Sequence, residues 1–600
     1  MTLQIESRDL SFLLYELLDV GALADRPRFA GQGREVYDAV LDTARGVATE
    51  HYAPFRKDND QHEPQLVNGV VVTTPGLKQG WDAVAESGLI ASTHDESRGG
   101  MQLPHVIAGA AIAFLEAANI GSASYPMLTA GASNLIAAFG SDAQKDFWLP
   151  PMLAGRWSGT MALTEPDAGS SLSDIRTAAT PVGDGTYHID GTKIWISAGD
   201  HELTENIVHL VLARIKGAPE GTKGISLFIV PKKAVSADGA VGSTNNVTTA
   251  GLIHKMGWRG TTSTLLNFGE RGPCVGHLIG EANQGLACMF HMMNEARIGV
   301  GRAATAMGYA AFRYSLDYAR TRKQGRLPGE KDPKRPPVAI IEHADVRRML
   351  LQQKCAAEGS LALVLACSRL VDEQETAPDA AAREQATLLL EVLTPIAKAW
   401  PSATCQDGIS NAMQVLGGYG YAREYDVEQL YRDNRLNQIH EGTNAIQALD
   451  LLGRKVTQQK GAAYAALVGS ITRSIAEAAT AEMLLTPLAA DLEAAVARMT
   501  AVTKSLVGVM MTDPARGLAN ASTYLELVSR TVYAWLWLRQ ATVAAHALSA
   551  GASGDEADFY TGKVQAARFY FGFELPRSVA DSELLLRNDP AALDMQDAWF

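Results

Sequence analysis

The feature that most constrains the fold is a β-rich stretch between about residues 160 and 275, flanked on both sides by long helical patterns. The segment Tyr187 to Ile196 alternates around Asp190-Gly191, a pair typical of hairpin turns, and is predicted to form a β-hairpin. Three further segments are rich in β-branched and aromatic residues and are predicted to be strands: Asn206 to Arg214, Gly224 to Val230 and Ser263 to Phe268. The order helical, β, helical therefore predicts an α+β fold that is mostly α.

Helical periodicity dominates both flanks. Ile107 to Ala118 is rich in Ala, Ile and Leu and is predicted to be a buried helix. Arg297 to Arg320 lacks proline and has closely spaced small residues, which favours tight helix packing. The predicted organisation has five parts: an N-terminal extension (1–40), an N-terminal helical domain (41–158), a central β-barrel-like domain (159–282), a helical bundle domain (283–456) and an extra C-terminal helical domain (457–600).

Charge and composition narrow the functional class. The chain has 53 Lys plus Arg against 66 Asp plus Glu, a net charge of −13, which argues against a nucleic-acid partner. Its five cysteines contain no CxxC pair, so neither disulfides nor a metal site is expected. The N-terminus lacks a signal-peptide core, and the longest apolar stretch, about Val106 to Leu115, is too short to span a bilayer. These features predict a soluble, cytoplasmic protein without a membrane span.

Two distant segments carry the chemistry. Met161 to Ser170 reads MALTEPDAGS, and Gln438 to Thr443 reads QIHEGT, which places a carboxylate beside a glycine and a threonine. In this order and at this separation they resemble the acyl-CoA dehydrogenase family. The resemblance covers about residues 45 to 455 well, whereas the two ends resemble only the longer members of the family.

The resemblance implies that the first segment holds FAD. A flavin needs hydrogen bonds at N5 and along its N1/O2 edge. By resemblance, Leu163 and Thr164 contact the isoalloxazine, Gly169 lets the backbone approach the ligand, and Ser170 reaches the FAD phosphates or the acyl-CoA. Taken alone, the segment would equally be a capping turn before a helix.

The same resemblance assigns Trp195 and Ser197, in IWISAG, to the flavin as an aromatic cover and a hydroxyl donor. Threonine is more usual than serine at the second position. Without the family context, Trp195 would more often be a core residue.

Two later segments are implied to reach FAD from a neighbouring subunit or at its adenosine end. Arg322 and Gln324 lie in YARTRKQG, which resembles a pyrophosphate-binding segment, and a guanidinium suits phosphate. Gln414, Gly417 and Gly418 lie in QVLGGYGY, which resembles a Gly-rich turn. The alternatives are a solvated basic helix end and a helix C-cap. If both assignments hold, FAD lies near the interface of a homodimer.

The second segment is implied to carry the catalytic base. By resemblance, Glu441 removes the α-proton of the acyl-CoA, Gly442 turns the loop towards the substrate, and Thr443 contacts the cofactor. Arg297 matches the active-site arginine of the family and is assigned to the substrate. Read alone, Glu441 would be an acid near a helix N-terminus, worth about 0.3–1 kcal/mol.

Several positions depart from the family pattern. His440 replaces a common tyrosine, Ala445 replaces an acid or glutamine, and Thr262 replaces an acid. Some branches place the base at the position of Ala296, where this chain has no carboxylate. Glu295 is the nearest rival, but it should face another side of its helix.

The expected activity is FAD-dependent α,β-dehydrogenation of a saturated acyl-CoA, with an electron-transfer flavoprotein as acceptor. Medium or long straight chains are favoured. The alternatives are an acyl-CoA oxidase using dioxygen, a 3-(methylthio)propanoyl-CoA dehydrogenase, a DNA-binding flavoprotein relative and a helical scaffold. The net charge and the presence of Glu441 argue against DNA binding. The C-terminal domain is expected to leave a dimer rather than a tetramer.

Overall fold

The computed structural model describes residues 4–481 and 485–600. These residues divide into two compact units, one comprising residues 4–33 and 297–600 and the other residues 34–296. The α-helices are α1 (Ser7–Ser11), α2 (Arg34–Val47), α3 (Arg56–Gln61), α4 (Pro75–Glu86), α5 (His105–Phe139), α6 (Asp142–Leu153), α7 (Gly285–Thr321), α8 (Ala344–Thr376), α9 (Ala380–Leu416), α10 (Val427–Arg435), α11 (Asn444–Asp450), α12 (Ala462–Ala481), α13 (Thr486–Met510), α14 (Pro514–Leu518), α15 (Ala521–Ser549), α16 (Asp555–Phe569), α17 (Arg577–Arg587) and α18 (Ala591–Asp594).

The strands all lie in the unit of residues 34–296. They are β1 (Gln65–Val67), β2 (Val70–Val72), β3 (Trp157–Ala162), β4 (Ala178–Pro181), β5 (Thr186–Ser197), β6 (Asn206–Ile215), β7 (Ile225–Pro231), β8 (Lys233–Val235), β9 (Val241–Thr244), β10 (Val247–Leu252), β11 (Ser263–Phe268) and β12 (Val275–Ile279). The three strands predicted from composition are β6, β7 and β11, so those predictions are confirmed.

Pairing closes part of the sheet into a ring. Strand β5 pairs with β12 and β4, β12 pairs with β7, β7 pairs with β6, and β6 pairs in parallel with β4. Strand β3 extends the ring beside β6, and β11 and β10 extend it from the second half of β5. A buried apolar core that includes Ile189, Val211 and Phe228 stabilises this arrangement. The predicted β-barrel-like middle domain is confirmed.

The predicted hairpin at Asp190-Gly191 is wrong. Residues 186–197 form the single strand β5, which pairs with β4 before Gly191 and with β11 from Gly191 onward. Gly191 has φ 153°, and a Cβ on it would come within 2.5 Å of Thr177 Oγ1 and 2.8 Å of Thr177 Cα. The glycine therefore permits a close approach at the point where the strand changes partners, which a local turn signal cannot distinguish from a hairpin.

The predicted buried helix is part of α5, which runs for 35 residues from His105 to Phe139. Asn119 has non-helical backbone angles and Pro126 lies inside the helix, so α5 is kinked. It is the only helix of the described residues that is long and apolar enough to cross a membrane, and 94% of its most apolar window is buried inside the protein. That burial is what a core helix shows.

The unit of residues 4–33 and 297–600 is helical. Helices α8 and α9 form its largest helix pair, and α9 begins with the Asp379 side chain accepting a hydrogen bond from the Ala382 N–H at 2.7 Å. The long predicted helix at 297–320 lies within α7 and is confirmed. The N-terminal residues join this unit, where the buried Asp9 contacts α16 through Lys563.

Candidate active site

The QIHEGT segment forms a tight loop just before α11. Glu441 and Gly442 have φ values of 53° and 81°, so both lie in the left-handed region. Thr443 is the N-cap of α11, and its hydroxyl accepts a hydrogen bond from the Ile446 N–H at 3.3 Å. The buried Gln447 donates from Nε2 to the carbonyl oxygens of Glu441 and Gly442, both at 3.3 Å. These contacts fix the backbone on which the Glu441 carboxylate is carried.

We expect Gly442→Ala to destabilise this loop by about 1–3 kcal/mol, because a non-glycine residue is strained at this φ. A Cβ on Gly442 would also approach Gln447 Nε2 to 2.8 Å, against the hydrogen bond that holds the loop. Gly508→Ala, at an exposed position in the last turn of α13 with open space for a Cβ, is the matched control and should be neutral or stabilise by up to about 1 kcal/mol. Denaturant unfolding measures the change in the free energy of unfolding for both variants. Equal changes at the two positions would contradict the prediction.

Burial and nearby cations act on Glu441 in opposite directions. Burial raises the pKa of the Glu441 carboxyl, while the positive charges of Lys398 and Arg297 lower it, and the net shift is upward from the ordinary value. A carboxylate with a raised pKa is a stronger base than an exposed one. The loop therefore holds a carboxylate whose environment suits proton abstraction.

Arg297, assigned from sequence to the substrate, is almost fully buried in α7 with 4% of its surface exposed. Its Nη1 donates to Asp450 Oδ2 at 2.7 Å, and Asp450 also accepts from Arg454 at 2.6 Å. The positive charge of Arg297 acts on Glu441, but the carboxylate of Asp450 in α11 neutralises part of it. Its assignment to the substrate stays a prediction.

The environment of His440 favours its neutral form. Burial, assisted by the positive charge of Lys398, lowers the pKa of the His440 imidazole to about 3. Its Nε2 is 3.0 Å from Asn437 Oδ1. We infer that His440 is neutral near neutral pH and serves to shape the loop.

In the other unit, the MALTEPDAGS segment follows β3. The Thr164 carbonyl accepts a hydrogen bond from the Ile194 N–H at 2.9 Å, which ties the segment to β5. The buried Lys193, also on β5, donates to the Leu163 carbonyl at 2.9 Å and to Glu165 Oε1 at 2.8 Å. Leu163 and Thr164, the two residues assigned to the isoalloxazine, are therefore held against β5 through their backbone carbonyls.

Glu165 completes this anchor. Its carboxylate accepts hydrogen bonds from the Arg176 N–H at 2.6 Å, the Thr177 N–H at 3.0 Å and the Thr177 hydroxyl at 2.6 Å. Burial alone would raise the pKa of Glu165, but Lys193 and these donors outweigh it and lower the pKa. The glutamate of the TEP sequence thus positions its neighbours.

The surface at the end of β5 fits a flat ring system. Trp195 is 56% exposed, which is unusual for a tryptophan in a strand, and its φ of 63° turns it out of the regular strand path. Among the described residues, the hydroxyls of Thr164 and Ser197 have no hydrogen-bond partner, so both are available to a ligand. Gly169 and Ser170 are exposed, with open space around Gly169. An exposed aromatic face beside two free hydroxyls suits the isoalloxazine of FAD.

The five residues assigned to the remote parts of FAD lie on an exposed surface of the helical unit. Arg322 has its Cζ 6.0 Å from the centroid of the Tyr419 ring, which brings the YARTRKQG segment next to the Gly-rich turn. Helix α9 ends at that turn, where Gly417 has φ 62°. The exposed residues of this surface are Arg322, Gln324, Gln414, Gly417 and Gly418. The two segments predicted to share one ligand are therefore neighbours.

Sequence reasoning missed the groups that surround Glu441. Lys398 is fully buried in α9, and its Nζ donates to Asn444 Oδ1 at 3.2 Å. Asp450 holds Arg297, and Gln447 holds the loop carbonyls. One signal was present in the sequence. Lys398 is a lone charge in the apolar run LTPIAKAW, and lysine is rarely buried unless it is paired.

Family models match the chain from near one end to the other. Those of the acyl-CoA dehydrogenase N-terminal, middle and C-terminal domains match residues 34–156, 160–270 and 283–457. A model described as acetyl-CoA dehydrogenase C-terminal like matches residues 467–596. Together they include the β domain, the base loop and the C-terminal helices.

Relatives of similar length match over almost their whole sequences. A 3-methylmercaptopropionyl-CoA dehydrogenase of Ruegeria pomeroyi is 36% identical, with 95% of each chain covered. A broad-specificity linear acyl-CoA dehydrogenase, FadE5, of Mycobacterium tuberculosis is 34% identical, with 99% of each chain covered. Caenorhabditis elegans ACDH-11, solved in complex with C11-CoA, shares the fold with a TM-score of 0.72 at 18% identity, covering 97% of this chain and 94% of that one.

These matches define the chain as an FAD-dependent oxidoreductase that acts on the CH–CH bond of acyl-CoA thioesters. The chain belongs to the acyl-CoA dehydrogenase family.

Proposed function

We propose that this enzyme converts a saturated straight-chain acyl-CoA of medium or long chain into the trans-2-enoyl-CoA, with Glu441 as the base. The observation that carries this proposal is the Glu441 carboxylate itself, held on a left-handed backbone with its pKa raised by burial. The similarity to the M. tuberculosis enzyme, whose name describes linear acyl-CoA substrates, supports a straight chain.

Different residues of the chain would act on the substrate and on the flavin. Glu441 accepts the α-proton, and its backbone N–H is available to polarise the thioester carbonyl as the α-carbon becomes carbanionic. FAD supplies the acceptor for the β-hydride. Trp195 covers the ring system, while the hydroxyls of Thr164 and Ser197 bind it, and Lys193 and Glu165 keep Thr164 in place. Exclusion of water by the acyl chain would raise the basicity of Glu441 further.

A second substrate class has an observation in its favour. The R. pomeroyi relative, named as a 3-methylmercaptopropionyl-CoA dehydrogenase, is 36% identical over 95% of this chain. The α,β-dehydrogenation required of 3-(methylthio)propanoyl-CoA is the same, so Glu441 would have the same task.

We further propose a homodimer in the cytoplasm that passes electrons to an electron-transfer flavoprotein. The exposed surface of Arg322, Gln324, Gln414, Gly417 and Gly418 supports the dimer, because a guanidinium and exposed glycine backbone suit a diphosphate from a neighbouring subunit. Light scattering tests this proposal, and a tetramer or a monomer would contradict it.

The substrate is tested by anaerobic titration of the yellow holoenzyme with butanoyl-, octanoyl-, hexadecanoyl- and 3-(methylthio)propanoyl-CoA. We expect the visible flavin absorbance to bleach, most completely with octanoyl- or hexadecanoyl-CoA. Preferential bleaching by 3-(methylthio)propanoyl-CoA would select the second substrate class. A flavoprotein that none of these thioesters bleaches would overturn the proposed activity.

A further inference from the structure

A buried lysine lies beneath the base loop. Lys398 is in the middle of α9 and is fully buried. Its Nζ donates to Asn444 Oδ1 at 3.2 Å, and Asn444 is the first residue of α11, three positions after Glu441. The Ser402 hydroxyl, which donates to the Ala399 carbonyl at 2.7 Å, lies 3.2 Å from the same oxygen, and Asn444 Nδ2 also donates to the Ala399 carbonyl at 3.3 Å. The start of α11 is therefore tied to one turn of α9.

The charge of this lysine is poorly compensated by direct contacts. Among residues 4–481 and 485–600, no carboxylate makes an ion pair with Lys398, whose Nζ is bound to a neutral amide. Burial lowers the pKa of Lys398 to about 7, Glu441 acts to raise it, and Arg297 lowers it further. Burial of an ammonium group without an ion-pair partner is costly, and the lowered pKa of Lys398 is the consequence.

The other charged groups around this position are already paired or neutral. From α7, Arg297 is held by Asp450 of α11 at 2.7 Å. From the turn after α11, Lys455 is paired with Glu391 of α9. In the loop, His440 is neutral, because burial lowers its pKa to about 3. Glu441 is thus the carboxylate on which the charge of Lys398 acts.

We propose that Lys398 is a positioning residue for the base: its ammonium group favours the ionised form of Glu441, and its hydrogen bond to Asn444 fixes the base loop against α9. The proposal rests on the proposed role of Glu441. Burial raises the pKa of Glu441 and so favours its protonated form, whereas only the ionised form can accept a proton. A buried cation restores the carboxylate without an ion pair that would block proton transfer.

The test is the pH dependence of anaerobic flavin reduction by the preferred saturated acyl-CoA, measured on holoenzyme variants. Lys398→Met removes both charge and hydrogen bond, Lys398→Gln removes the charge but can still donate to Asn444, and Lys398→Arg keeps the charge. Lys455→Met is the matched control, since Lys455 is also buried but does not act on Glu441. We expect the midpoint of the rise in rate with pH to move upward by about one to three pH units in the two neutral variants. It should stay in place in Lys398→Arg and Lys455→Met.

A second readout does not depend on turnover. Because the pKa of Lys398 is lowered in the folded protein, the unfolded chain binds more protons between about pH 7 and pH 10, and folding stability gains with pH in that window. The neutral variants should lose this gain, because the slope of the free energy of unfolding against pH should fall by the equivalent of about one proton. The slope of the free energy of unfolding against pH can be measured for any variant that folds and binds FAD, including an inactive one.

An unchanged midpoint in both neutral variants would overturn the proposal, as would an equal shift in Lys398→Arg and Lys398→Met, which would indicate a packing role alone. The proposed function fails in a different way. If wild-type protein bleaches but Glu441→Gln bleaches equally fast, the base is elsewhere, whatever the Lys398 variants do.

Discussion

Glu441→Gln is expected to slow anaerobic flavin reduction by a saturated acyl-CoA by about 10²–10⁴-fold or more, because it removes the group that accepts the α-proton. Glutamine retains the shape of the side chain and the backbone N–H, so the loop should survive. The carbonyl oxygens of residues 441 and 442 would still accept from Gln447. FAD content and thermal stability should therefore stay near those of the wild type.

Glu295→Gln is the matched control. Glu295 is the nearest rival carboxylate in the sequence, and its Oε2 accepts a hydrogen bond from Asn134 Nδ2 at 2.9 Å. Its replacement should leave the rate within a few-fold of wild type. Stopped-flow absorbance measures both variants, and a large loss with Glu295→Gln together with a small loss with Glu441→Gln would reverse the assignment.

Lys563→Met is expected to destabilise the helical unit by about 3–5 kcal/mol, the largest stability effect we anticipate for a single replacement. Lys563 of α16 contacts Asp9 of the N-terminal segment, donates to Glu358 Oε2 at 2.8 Å, and donates to Gln540 Oε1 at 3.1 Å. Asp9, Glu358 and Lys563 are each at most 2% exposed. Burial would lower the pKa of Lys563, but the two carboxylates outweigh it and raise the pKa. Without the lysine, the buried carboxyl of Asp9, whose pKa is already raised by burial and by the charge of Glu358, would lose its cation.

Two comparisons separate this effect from lost packing. Adding Asp9→Asn to Lys563→Met should recover much of the loss, because a neutral amide replaces the unpaired carboxyl group and the Tyr309 hydroxyl can still donate to residue 9. Glu556→Gln breaks the partly exposed pair between Arg8 and the same helix α16 and should cost at most about 1 kcal/mol. Denaturant unfolding can be followed by tryptophan fluorescence, since Lys563 Nζ is 5.8 Å from the Trp537 ring. Equal losses for Lys563→Met and Glu556→Gln would contradict the account.

The sequence was informative wherever the signal is local. Composition alone identified β11 from Ser263 to Phe268 with its observed bounds. The Asp190-Gly191 pair misled, because its turn preference was overridden by pairing of one continuous strand with two different partners. That pairing depends on residues far along the chain, which a short window does not contain.

The surroundings of Glu441 could not be predicted for the same reason. Lys398 and Asn444 are 46 positions apart and meet only because α9 and α11 pack together. Likewise, residues 1–40 were predicted only as an N-terminal extension, and the contact between Asp9 and Lys563, 554 positions apart, joins residues 4–33 to the helical unit. Such contacts follow from tertiary packing, and no periodicity along the chain encodes them.

The most direct test of Glu441 as the base is the exchange of substrate hydrogen with solvent. Holoenzyme is mixed anaerobically with its preferred acyl-CoA in deuterated water, and the recovered saturated thioester is examined by mass spectrometry. Reversal of the reaction returns a solvent-derived hydron from the base to the α-carbon, so the account predicts α-deuterium with the wild type and almost none with Glu441→Gln. Equal incorporation by the two proteins would contradict the central claim.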